Sequence, residues 1–127
     1  MCFMVLLRLS KTISEEIFAE ILKELGYEVE VRELDGRRVV EGRRGVAELR
    51  ASVDKDFLKV ETDDYGPRCT RDLDEIVKAL YEKDLKPEVI QLVSPYITAY
   101  EKRRGKTKKL LEEIGIEAEE VYSSYCG

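Results

Sequence analysis

Asp35-Gly36 stands between two runs of alternating apolar and charged residues, and that arrangement limits this chain more than any other feature it carries. A two-residue hairpin loop of type I′ needs both central residues at positive φ, a demand that Asp-Gly meets with little strain. Before the loop, "YEVEVREL" sets Tyr27, Val29 and Val31 against charged neighbours. After it, Arg37 to Glu41 form the return strand. A second turn at "GRRG" leads to Ala47, Leu49, Ala51 and Val53, which alternate with Glu48, Arg50 and Ser52. "DKD" turns the chain again into "FLKVET". Period-two alternation gives each strand one apolar and one charged face, so the expected product is a four-stranded antiparallel meander. One side of it faces water or a partner, and the other needs a cover.

Helices are expected to supply that cover. In "TISEEIFAEILKELG", Thr12 and Glu15 have the spacing of a capping box. Ile13, Ile17, Ile21 and Leu25 recur every four residues, and Gly26 ends the helix. The stretch Cys2 to Leu9 is apolar except for Arg8 and reads as a central strand covered on both faces rather than a signal peptide. After "DDYGP", Asp72 is placed as the cap of a helix bearing Leu73, Ile76, Val77 and Leu80. Pro87 suits the first turn of another short helix, Ser94-Pro95 caps a third, and "IEAEEVYSSY" is a final short strand. The 127 residues therefore read as a single α+β domain, an antiparallel β-sheet in the order β-α-β-β-β-β-α-α-α with helices packed on one face.

Composition narrows the chemistry. There is no histidine, which excludes Ser-His-Asp triads, Cys-His dyads and His-ligated zinc. Asparagine is also absent and Gln91 is the sole glutamine, while charged residues reach 39%. That bias belongs to proteins from very hot environments. The net charge of −5 argues against a globally basic nucleic-acid binder, so any such role must be local. The three cysteines lack CxxC spacing and encode no zinc ribbon. A bridge between Cys2 and Cys126 would tie the ends of the chain together. No metal site and no cofactor motif is read, and a cytoplasmic location without membrane contact is expected.

Four groups of residues remain as candidates for function. The run "EKRRGKTKK" lacks the glycine that a phosphate loop places four residues before Gly-Lys-Thr, where Tyr100 stands, so the match is chance. As a helix, the run turns Lys102, Lys106 and Lys109 outward, with Arg103 and Arg104 flanking the apolar stripe. It reads first as a solvated face and second as a phosphate-backbone site. Arg37, Arg38, Arg43 and Arg44 form a second basic cluster that would join it if the two converge. Cys69, in "GPRCTRD", lies between Arg68 and Arg71 just before a helix start. That setting favours a thiolate, although the chain offers no histidine base. Asp63, Asp64, Asp72 and Asp74 could hold Mg²⁺, and turn and cap duties explain them more simply.

"LKELGYEVEV", "DFLKVETDDYG" and "YITAYEKRRGKTKKLLEEIGI" give the chain a layout that resembles the ycf-35-type family of hypothetical chloroplast and cyanobacterial proteins. The resemblance implies a shared architecture and no catalytic residue. The expected function is a non-enzymatic interaction module, a homodimer or a domain bound to a protein partner through the exposed sheet face. The alternative is an RNA-binding domain using Lys102, Arg103, Lys106, Lys109 and the hairpin arginines.

Overall fold

The computed structural model describes residues 1–97. Six antiparallel strands form one sheet: β1 (Phe3–Arg8), β2 (Glu28–Leu34), β3 (Arg37–Arg44), β4 (Ala47–Asp54), β5 (Phe57–Asp63) and β6 (Glu88–Val93). Among the described residues two helices, α1 (Glu15–Glu24) and α2 (Cys69–Glu82), accompany the sheet, with a short 3-10 turn at Gly66–Arg68 leading into α2. The spatial order is β2-β3-β4-β5-β1-β6, so the meander is contiguous and β1 is inserted between β5 and β6. This is the α+β class that the alternation implies.

The hairpin forms as its residues require. Asp35 has φ 51° and Gly36 has φ 76°, both in the left-handed region of a type I′ turn, and Leu34 pairs with Arg37 across it. Residues two apart then share a face along each strand. Phe3, Val5 and Leu7 of β1 stand opposite Thr62, Val60 and Leu58 of β5, and with Val40, Leu49 and Ala51 they line the helix side. Phe18, Ile21 and Leu22 of α1 and Leu73, Ile76, Val77 and Leu80 of α2 close this core from above.

Gly42 is the place where the sheet makes room for α1. A β-carbon there would lie 3.3 Å from the Tyr27 ring and 3.6 Å from Leu22. We expect Gly42→Val to lower the unfolding free energy by about 2 kcal/mol through overpacking. Thermal melts of the two proteins measure this, and an unchanged midpoint would contradict the packing.

Several local expectations need correction. The cap of α1 is Ser14, whose Oγ accepts from Ile17 N–H at 3.3 Å, rather than Thr12. The buried stripe runs through Phe18, Ile21 and Leu22, and Ile17 is 48% exposed. α2 starts at Cys69 after Pro67, so Asp72 lies inside its first turn and is not its cap. The segment after Pro87 is strand β6, not a helix. Its branched residues complete the free edge of β1, with Leu92 opposite Val5 and Val89 opposite Leu7. The proposed helix after Ser94-Pro95 and the terminal strand extend into, or lie within, residues outside those described. Ser94 itself is fully buried, donates to Cys2 O at 2.6 Å, and accepts from the N–H groups of Tyr96 and Ile97.

Candidate functional site

Both helices lie on one face of the sheet, which leaves the other face open among the described residues. Strand register divides that open face into two halves. Toward β2, β3 and β4 it is charged. The row Glu30, Glu41, Arg50, Glu61 crosses four strands, and the row Glu28, Arg43, Glu48, Asp63 runs beside it. These side chains border a groove of about 730 Å³ in which six carboxylates meet three guanidiniums and the Met1 amine. Arg32 reaches Glu41 at 3.4 Å, Arg43 reaches Glu48 at 3.8 Å, and the Met1 amine reaches Asp63 at 3.1 Å. Toward β1 and β6 the same face is more apolar, although Lys59 and Glu61 of β5, paired at 3.1 Å, stand beside Leu6 and Met4. Met4 and Leu6 are half-buried, Phe57 is 36% exposed beneath the Arg8 guanidinium, and Val93 lies opposite Met4.

Register also settles the hairpin arginines, which do not form one patch. Arg37 and Arg43 stand on the open face. Arg38 and Arg44, one residue out of phase with them, turn to the helix side. Arg38 hydrogen-bonds Glu16 and pairs with Glu15 at 3.5 Å, which anchors β3 to the start of α1. The Arg38 bond holds the Glu16 carboxyl below the ordinary range, and the Arg38 guanidinium is raised in turn. Lys102, Arg103, Lys106 and Lys109 lie outside the described residues, as does Cys126.

Arg44 leads to the second site, a charged cluster at the start of α2. Its guanidinium donates to Leu25 O at 2.8 Å, to Glu75 Oε2 at 2.8 Å and to Asp72 Oδ1 at 3.3 Å. It also lies over the Tyr27 ring, 4.5 Å from the centroid. Burial pushes the Tyr27 phenol up to about 12, so it stays neutral at any ordinary pH. Burial is the largest influence on Arg44 and opposes its charge, but the Glu75 bond together with the surrounding Tyr27, Glu75 and Asp72 outweighs it, leaving the guanidinium pKa raised.

Asp72 and Asp64 are the unusual members of the cluster. Each side chain is only 1% exposed. Asp72 Oδ1 accepts from Arg44 and from Arg71, both at 3.3 Å. Asp64 Oδ1 accepts from Tyr65 N–H at 2.7 Å and lies 3.5 Å from Arg68 Nε. Asp64 Oδ2 is buried and receives no N–H or hydroxyl donor. Asp72 lies within hydrogen-bonding reach of Asp64, and a proton on it would satisfy that oxygen. Burial, followed by the bond and repulsion from Asp64, pushes the Asp72 carboxyl up to about 7 against the pull of Arg71. Burial also pulls Asp64 upward, but the Asp72 hydrogen bond, the Tyr65 amide and Arg68 outweigh it and leave that pKa lowered. The two carboxyls therefore hold one proton between them over the acidic range.

Cys69 requires a different account from the one its neighbours suggest. Its sulfur is bonded to Cys2, the two α-carbons are 5.5 Å apart, and both residues are fully buried. The bridge joins the start of β1 to the first residue of α2, so Cys2 is engaged within the described residues and not with Cys126. No thiolate stands at Cys69 to attack a substrate. Of Asp63, Asp64, Asp72 and Asp74, the first turn of α2 and the segment before it bring Asp64 and Asp72 together beside Arg44, Arg68 and Arg71. No group of three or more metal-ligating side chains occurs among the described residues.

Sheet, helix layer and open face together define a two-layer α+β domain with no helix, among the described residues, long and apolar enough to cross a membrane. No family model, no curated protein and no solved structure matches the chain.

Proposed function

We propose that this domain is a non-enzymatic association module whose open sheet face binds a second copy of the chain. The observation that carries the reading is the asymmetric layering. Both helices cover one face, and the face left open brings Met4, Leu6, Phe57 and Val93 together on β1, β5 and β6. Four of the six carboxylates of the groove lie on β2 to β4, and of the two on β5, Glu61 is paired with Lys59 at 3.1 Å and Asp63 with the Met1 amine. Two copies related by a two-fold axis near β1 and β6 would bury Met4, Leu6 and Val93 while holding the carboxylates of β2 to β4 apart. The face is favoured over the β6 edge because Ile90 is an extra residue there, pairing with nothing between Leu6 and Leu7. Such a bulge interrupts the ladder a new strand would follow.

RNA binding is supported less well. Arg38 and Arg44 are tied to carboxylates of the helices, and Arg37 and Arg43 share their face with six acidic groups that repel phosphate.

Light scattering coupled to size exclusion tests the proposal. A dimer is expected at micromolar concentration, and Leu6→Glu together with Phe57→Glu should yield a folded monomer. A monomeric parent at high micromolar concentration would refute it, as would a dimer indifferent to both changes.

A further inference from the structure

We propose that Asp64 and Asp72 form a proton-binding latch that holds the segment 64–68 against the first turn of α2, and that loss of the shared proton releases this segment while the rest of the fold stays closed. The geometry provides the two states. With a proton on Asp72, its hydroxyl donates to Asp64 Oδ2, the buried oxygen that no other donor reaches. Without it, two carboxylates with 1% exposed side chains face each other.

Every element around the pair contributes charge, and none of it intervenes between the two carboxyls. Arg44 comes from β3, Arg71 and Glu75 from α2, and Arg68 from the 3-10 turn, while Tyr27 adds a neutral phenol. Three guanidiniums balance three carboxylates in number. In placement they do not, because Arg44 and Arg71 address Asp72 Oδ1 and Arg68 addresses Asp64 Oδ1.

The side that yields is the segment, not the helix. Cys69 is bonded to Cys2, and Leu73, Ile76 and Val77 are buried in the core, so α2 is held from below. Asp64, by contrast, takes its amide hydrogen bond and its ion pair from Tyr65 and Arg68, which move with it, while Arg71 of α2 acts on it only through its charge. Gly66 opposes its departure, since it packs so closely on the Tyr96 ring that a β-carbon there would lie 2.6 Å from it. Release would separate Gly66 from the Tyr96 ring, which is already 49% exposed, and leave Asp72 with Arg44 and Arg71.

Hydrogen exchange followed by NMR on the whole, oxidised chain tests the latch. After correction for intrinsic exchange rates, protection of the amides of Tyr65, Gly66, Arg68 and Cys69 should fall about tenfold or more between pH 5 and pH 8, with the amides of α1 unchanged. Asp72→Asn supplies a permanent N–H donor to Asp64 and should retain the pH 5 protection at pH 8. Carbon-detected titration of the parent should show one aspartate carboxyl with a midpoint near neutrality. Equal protection at both pH values, an Asp72→Asn protein that opens like the parent, or aspartates that all titrate in the ordinary range would each overturn the proposal. Should the asparagine variant fail to fold, the parent's titration and exchange still decide.

Discussion

Reduction of the Cys2–Cys69 bridge, or its replacement by Cys2→Ala with Cys69→Ala, is expected to lower the unfolding free energy by about 4 kcal/mol. The bridge spans 67 residues, and closing a loop of that length removes about that much entropy, expressed as free energy, from the unfolded chain. For a domain of this size the melting point should drop by roughly 15 °C. Denaturation curves with and without a phosphine reductant make the comparison, and coincident curves would show that the bridge contributes nothing. The alanine pair and the reduced parent should agree within about 1 kcal/mol, since each loses the same constraint and alanine adds only a small cavity.

Arg44→Ala should be the most damaging single charge removal among the described residues, and its effect should depend on pH. The change leaves Asp72 and Glu75 with Arg71 as their shared partner in place of two guanidiniums, and removes the Arg44 donor from Leu25 O. A loss of about 3 kcal/mol is expected at pH 8, and about half of that at pH 5. The sign follows from Asp72. Its folded pKa of about 7 lies above its unfolded value of 3.8, so between these limits the native state holds a proton that the unfolded state has released. Stability of the parent therefore falls as pH rises from about 4 to about 7. Asp64, shifted downward, contributes stability above its unfolded value of 3.8 that is lost as pH drops through its lower folded pKa. On these two groups the parent should be most stable near pH 4. Removing Arg44 takes away a cation that favours ionised Asp72, so the penalty grows where Asp72 must ionise. Urea melts at pH 5 and pH 8 read both effects, and a loss equal at the two pH values would contradict the assignment.

The meander was legible because its signals are local. Asp35-Gly36 fixes a turn, and the turn fixes which of Val29, Val31, Arg32 and Glu33 share a face. β6 was not legible for the opposite reason. "EVIQLV" follows a proline that suits a helix start, and only the unfilled edge of β1, more than eighty residues earlier in sequence, makes it a strand. The same limit hid the carboxyl cluster. Asp64 and Asp72 are ordinary turn and helix-start residues until Arg44 arrives beside them from β3. One signal was available. Strand alternation places Arg44 on the apolar face with Val40 and Gly42, where a guanidinium has to find carboxylates. The Cys2–Cys69 pairing carried no such cue, because three cysteines without characteristic spacing allow any of three bridges.

The position of β1 in the sheet also has a consequence during synthesis. β1 leaves the ribosome before every other strand of the sheet, yet its neighbours are β5 and β6, and β6 ends at Val93. The hairpins of the meander close between near neighbours and need not wait. Phe3, Val5 and Leu7 must remain unsheltered by their final partners until most of the described chain has been made. Nascent chains stalled before β6 would thus expose one of the most apolar segments of the protein, and a hydrophobic-binding chaperone would be expected to engage them there rather than at the charged hairpins.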